Sequence, residues 1–152
     1  MLGSLARKLR LYGYDVKYNT SFYDNLLLDI ALHEGRWLVT GDRALNIAAK
    51  KRNIKCCIIS REDGIGQAAI LFKEINIQPP TIDPALSRCT VCNNSLVTRE
   101  PKDVKGLVNE GVLKRNNVFY QCKGCGKIYW LGHHWKKIRE FDKQVRKMIE
   151  QH

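Results

Sequence analysis

The sequence predicts an α/β protein: a parallel sheet flanked by helices, then a small cysteine-stapled module, then a closing basic helix. Three observations predict it. Short apolar, strand-like runs alternate with helix-period segments through the first half. The second half holds cysteines in two close pairs. The last segment repeats apolar residues at helical spacing, with Lys and Arg between them. Strands that alternate with helices through short loops favour a parallel sheet, because each crossover lays a helix over it.

The elements follow in order. Leu2 to Tyr12 carries Leu2, Leu5, Leu9 and Tyr12 on one helical face, and Gly13 ends it. Asp15 to Asn19 reads as a short strand. Asp24 suits the N-cap of a helix over Asn25 to His33, with Gly35 just past its end. Arg36 to Thr40 is a strand, Arg43 to Arg52 a helix, Lys55 to Ser60 a strand and Gly66 to Ile75 a helix. The Pro-rich segment from Gln78 to Pro84 is the linker, which sets domain boundaries at 1–84 and 85–152. In the second part Ser95 to Arg99, Val118 to Gln121 and Lys127 to Leu131 read as strands. The closing helix, His134 to Gln151, puts Trp135, Ile138, Phe141, Val145, Met148 and Ile149 on one stripe.

Cys89-Thr-Val-Cys92 and Cys122-Lys-Gly-Cys125 are the strongest motif. Each C-x2-C can present two thiolates on one tight turn. Two such turns make a tetrahedral S4 cage, which suits a structural Zn2+ and leaves no open position for substrate. Gly124 and Gly126 fit the second turn. Two disulfides or four unrelated thiols are the bland alternative. Cys56 and Cys57 sit in an apolar strand and read as small core residues. Thiolate ligands and unpaired cysteines fit a reducing, cytoplasmic setting. No apolar run is long enough to span a membrane. The stretch from Met1 to Gly13 has no apolar leader core.

The chain has 152 residues and a net charge of +11, unevenly spread. Residues 85–152 hold 14 Lys/Arg against 6 Asp/Glu, a net of +8, and residues 1–84 hold 12 against 9, a net of +3. A basic half that also carries a zinc module points to a polyanion, with RNA as the expected partner and ribosomal RNA, transfer RNA or the ribosome as candidates. Solubility alone is the competing explanation. The candidate RNA-binding residues are Arg7, Arg10, Arg43, Tyr129, His133, Lys136, Lys137 and Arg139. Tyr129, Trp130 and His133 offer rings for stacking on unpaired bases. Trp130 and Trp135 could instead seal the ribbon against the closing helix. No small-molecule cofactor is expected.

A parallel sheet binds ligands at the carboxyl ends of its strands. Asp42 lies there, after Leu38-Val39-Thr40-Gly41, and Asp24 opens the preceding helix. Two carboxylates at one sheet edge can bind Mg2+ or Mn2+ and activate water for attack on a phosphodiester. Thr40 could hydrogen-bond an acid or the water, and Arg43 could hold a phosphate. A plain N-cap and a plain strand-to-helix turn account for the same residues.

The run Leu5-Ala6-Arg7-Lys8-Leu9-Arg10-Leu11-Tyr12-Gly13-Tyr14-Asp15, the Thr40-Gly41-Asp42-Arg43 turn, the CxxC pairs and Tyr129-Trp130-Leu131-Gly132-His133-His134-Trp135 together resemble one family. It is the PIN-like ribonuclease domain with a fused zinc ribbon, also found at the C-terminus of the Mut-seven exonuclease. The resemblance covers essentially the whole chain. It implies a PIN-like parallel sheet over 1–84, a zinc ribbon plus helix over 85–152, and a metal-dependent endoribonuclease. Asp24 and Asp42 match two of the family's acidic positions, with Thr40 beside them. In the family an apolar strand ending in Asp precedes the Met-Leu-Gly run. The sequence starts at Met1, so that strand and its Asp are expected either upstream of it, outside a fragment, or lost in a non-catalytic protein whose sheet is filled another way. Without them a central strand and a principal metal ligand are missing. The alternative to an active nuclease is a non-catalytic RNA- or ribosome-associated protein on a nuclease-like fold. A protein-interaction adaptor is the third and weaker reading.

Overall fold

The structure is a computed structural model that describes residues 2–60 and 63–151; Met1, Arg61, Glu62 and His152 lie outside it. Its described residues divide into two compact units, each discontinuous in sequence. One takes the chain up to Leu5, Tyr18–Pro79, and the chain from Gln144 on. The other takes Ala6–Lys17 and Pro80–Lys143. Helix α1 (Gly3–Leu11) and helix α6 (His133–Glu150) each begin in one unit and finish in the other.

The first unit is built on a crossover: β1 (Leu38–Thr40), α3 (Arg43–Lys51), β2 (Cys56–Ile58). The strands are parallel, with Leu38, Val39 and Thr40 opposite Cys56, Cys57 and Ile58. Leu38 and Thr40 are buried and Val39 half-buried, the alternation that a pleated strand imposes. Helix α2 (Asp24–Glu34) ends at Gly35, whose N–H bonds to the Ala31 carbonyl. Leu28 and Ala31 of α2, Leu38 of β1, Leu45 and Ala49 of α3, and Ile54 form one core cluster. Helix α4 (Gly64–Glu74) is capped by Asp63, which accepts from Ile65 and Gly66, and buries Ala68, Ala69, Leu71 and Phe72. Cys57 is buried, and that burial, with Glu74 and Cys56 adding to it, pushes its thiol up to about 11. Such a thiol is an inert core group.

The second unit holds an antiparallel sheet in the order β3 (Leu96–Arg99), β4 (Phe119–Cys122), β5 (Ile128–Tyr129). Phe119 and Val104 are fully buried in this unit. Between β3 and β4 lie a 3-10 turn, Pro101–Asp103, and a short helix α5 (Glu110–Arg115) capped by Asn109. Nothing in a segment so rich in Gly, Asn and charge predicts the α5 helix. Phe141 of α6 packs at 6.5 Å from Tyr12, and the Tyr12 hydroxyl donates to Asp142 at 2.8 Å. Lys8 places its ammonium 3.9 Å from the centre of the Phe141 ring.

Two expectations are corrected by the fold. Asp15 to Asn19 is not a strand. The Val16 N–H bonds to the Asn93 side chain, and its carbonyl takes two bonds from Arg10, so these groups are not in a ladder. The parallel sheet among the described residues is therefore two-stranded, not the wider sheet read from the alternation. Asp24 is also not an N-cap. It is the first residue of α2, behind Tyr23, which offers no side-chain cap.

Candidate metal centre and nucleic-acid face

The four knuckle cysteines converge. The Sγ atoms of Cys89, Cys92, Cys122 and Cys125 all lie within 4.8 Å of one another. Cys89 and Cys125 approach to 3.6 Å, and Cys92 and Cys122 to 3.3 Å. A disulfide needs about 2.05 Å, so neither pair is bonded. A tetrahedron with Zn–S of about 2.3 Å has edges of about 3.8 Å, which this cluster matches. Among the described residues it is the one group of three or more potential metal ligands.

The surroundings are built for thiolates. Gly124 and Cys125 aim their N–H groups at the Cys122 sulfur, at 3.3 and 3.4 Å. Hydrogen bonds from the Asn94 side chain and backbone bring Cys92 down to about 6. Burial pushes Cys89 up, but the Tyr129 hydroxyl at 3.1 Å and the backbone around Cys92 and Val91 outweigh it, and the thiol lies below its ordinary value. For Cys125 the Lys127 N–H favours the thiolate, yet desolvation and the three neighbouring thiols push it up to about 11. The fourth thiol thus resists ionising beside the others, as expected of a cage whose charge a cation must offset. These donors fit Zn2+.

The knuckle geometry depends on two glycines. Gly126 has φ +76°, a region where a side chain is strained. A Cβ on Gly124 would meet the Asn94 amide at 2.4 Å, so only glycine lets Asn94 reach the sulfur of Cys92.

Arg10 and Tyr129, both read from the sequence as RNA-binding, are placed on the metal centre instead. Arg10 is buried; its guanidinium donates to the carbonyls of Val16 (2.7 and 3.1 Å), Thr90 (2.9 Å) and Val91 (3.4 Å). Burial lowers its pKa, opposed by Cys89 and Cys92, so the cation sits close to the thiolates. The Tyr129 hydroxyl bridges the Cys89 sulfur, the Thr90 N–H and the Thr90 hydroxyl, each at 3.1 Å. Sequence reasoning does not find Asn94 or Thr90. Arg10 lies 80 residues from Thr90 in sequence, and no local pattern links them. Replacing Arg10 by Ala strands several carbonyls and is expected to destabilise the protein by about 2–4 kcal/mol. A lowered urea midpoint at unchanged m-value checks this, and Arg10→Lys is expected to rescue little, because an ammonium cannot fork to Val16 and Thr90 together.

The acidic residues are placed differently. Thr40 ends β1, and its hydroxyl accepts the Asp42 N–H at 3.0 Å. Asp42 caps α3, with Oδ1 accepting the Leu45 N–H at 3.1 Å. That leaves its other oxygen at the carboxyl end of the strand. Asp24 is exposed at the first position of α2. Neither Asp42 nor Asp24 lies in a cluster of three or more potential metal ligands among the described residues. Arg43, Arg7, His133, Lys136, Lys137 and Arg139 are all exposed. Trp135 lies on the apolar side of α6, half-buried, with Arg139 5.8 Å from its ring.

A thiolate cage on an antiparallel three-stranded ribbon, carried by a chain with a βαβ crossover, defines a mixed α/β protein with a zinc-ribbon-like metal centre. The chain belongs to the Mut7-C RNAse domain family, whose model matches residues 1–142. No curated protein matches the chain. No solved structure matches it either. Membership points to an RNA-related nuclease function, with RNA as substrate or partner. No described helix is long and apolar enough to cross a membrane.

Proposed function

We propose that this protein is a metal-dependent, PIN-type endoribonuclease whose ribbon is held by one structural zinc and whose basic half holds the RNA. The observation that carries the reading is the family match over residues 1–142, which includes both knuckles and the Thr40-Gly41-Asp42 turn. In this reading Asp42 and Asp24 offer carboxylate oxygens to Mg2+ or Mn2+. Thr40 holds the Asp42 backbone in place at the end of β1. Such a metal, when bound, supplies Lewis-acid assistance and an activated water. Arg7, Arg43, His133, Lys136, Lys137 and Arg139 hold phosphates, and the site works in the cytoplasm. Cleavage of single-stranded and structured RNA, assayed with Mg2+, Mn2+ and chelator, tests the reading. Hydrolysis that persists in chelator overturns the metal-dependent mechanism.

One observation favours a second reading. Neither Asp24 nor Asp42 belongs to a group of three or more potential metal ligands among the described residues, and Mg2+ needs few but well-placed carboxylates. The second reading is a non-catalytic RNA- or ribosome-associated protein. Tight RNA binding without cleavage at any metal concentration selects it.

Both readings place phosphates on the exposed face of α6. Replacing Lys136, Lys137, Arg139 and Lys143 together by Ala is expected to weaken binding for all sequences alike. It should also reduce the slope of log K against log salt by about 3 for single strands, at roughly 0.7 for each phosphate that is no longer neutralised. Unchanged affinity in a salt titration would assign that face to protein or solvent.

A further inference from the structure

A groove of about 490 Å³ opens on the ribbon, lined by residues that include Leu107, Val108, Asn109, Gln121, Ile128 and Trp130. This is within the range of ligand clefts, about 300–1,000 Å³. We propose that it holds one unpaired nucleobase of bound RNA, stacked on Trp130; the proposal rests on the RNA-binding reading above and gives it a specific site away from the acidic residues.

Trp130 is a pre-set platform. It is 37% exposed, and its ring packs on buried Phe119, at 6.4 Å between ring centres and tilted by 58°. A Cβ on Gly132 would meet the indole Nε1 at 2.9 Å, so glycine there lets the ring lie close to its own turn. Leu107 lines the groove from a loop pinned by the Lys105–Val108 bridge and is 63% exposed. A flat apolar ring would cover both. Base–aromatic stacking of this kind tolerates any base, since each has a π-face.

The polar groups fit a base better than a protein. Gln121 is already used: its Oε1 accepts from Arg99, and its Nε2 donates to the Gly126 carbonyl. The Asn109 Oδ1 caps α5, leaving its NH2 as a donor. Lys127 also lines the groove, with its ammonium 5.3 Å from the centre of the Tyr129 ring. The groove therefore offers donors, and nucleobase edges and phosphates supply acceptors. Residues 99–130 hold seven Lys/Arg against three Asp/Glu, which complements a phosphate backbone. Lysine is depleted at protein–protein interfaces, which weighs against a protein occupant.

The test uses the full chain with its metal, a short single-stranded oligoadenylate, and the same oligomer with abasic residues at its centre. Trp130→Ala is expected to weaken oligoadenylate binding roughly tenfold, and Trp130→Phe no more than about threefold, with the salt slope unchanged in both. Wild type should lose about the same tenfold on the abasic oligomer, and Trp130→Ala should lose nothing further. Unchanged zinc content in each variant shows that the ribbon is intact. Oligoadenylate affinity that survives Trp130→Ala, or equal wild-type affinity for both oligomers, overturns the groove assignment while leaving RNA binding standing. Loss of self-association in Trp130→Ala with RNA affinity kept would make this a protein-docking face and equally overturn it. Failure of the wild type to bind either oligomer at low salt removes the RNA-binding reading and the groove with it.

Discussion

Replacing Cys122 by Ser is expected to release the metal and unfold the ribbon. Cys122 is buried, its sulfur accepts two backbone N–H groups, and it lies 3.3 Å from the Cys92 sulfur. The ribbon otherwise has little to hold it: three short strands over a core in which Val104 and Phe119 are the fully buried large side chains besides Cys89. For such a module the metal supplies folding energy, with apparent binding of about 10–16 kcal/mol at neutral pH. Wild type should carry about one zinc per chain by elemental analysis. Cys122→Ser should carry essentially none and should lose its near-UV dichroism from the ribbon aromatics. Chelation of the wild type should reproduce the loss. Release should also advance as pH falls, because protons compete with the cation for thiolate. Cys57→Ser is the control: its thiol is buried in the other unit, so zinc content should not change. A folded, metal-free wild type with two disulfides would end the zinc assignment.

Asp42→Asn is expected to abolish metal-dependent cleavage while leaving the fold intact. The choice of Asn matters because Asp42 caps α3 as well as offering the proposed metal ligand. Its Oδ1 caps α3 through the Leu45 N–H, and Asn caps about as well as Asp, whereas Ala would cost about 1 kcal/mol of helix stability. Asn keeps the cap and removes the anionic oxygen that a divalent cation requires. An unchanged thermal midpoint with cleavage reduced by about a hundredfold or more is the expected pair of results, in line with the typical worth of a key charge-stabilising group. Full-rate cleavage by the Asp42→Asn protein would rule out this site and the mechanism built on it.

The metal centre is the most legible part of the chain. Short spacing fixes which sulfurs share a turn, and two doubled spacings leave one cage as the simplest arrangement; the four sulfurs do converge. Apart from α5, helix positions are legible to within about two residues, because apolar periodicity, Gly13, Gly35 and Asp42 are local signals. The strand read over Asp15 to Asn19 fails, since the same alternation serves an extended segment whose N–H and C=O groups go to Asn93 and Arg10. Asp24 falls one position inside its helix for a similar reason: a carboxylate suits both the cap and the first turn.

The sequence by itself determined the cysteine cage, the βαβ crossover, the basic half and the family. Each is written in contiguous runs of residues, where spacing and periodicity act over a few bonds. Only the tertiary structure decided what the long-range side chains do. Arg10 lies in a run rich in cations, and nothing local marks it for burial. The fold brings the carbonyls of Thr90 and Val91 to its guanidinium, and the nearby thiolates favour its charge. Tyr129 likewise turns its hydroxyl to Cys89 rather than to solvent, while its neighbour Trp130 stays open on the groove. Successive residues of an extended chain point to opposite faces, so Trp130, just past β5, faces away from Tyr129, and which face meets the cysteines is set by the packing of β4 and β5, not by the residue types.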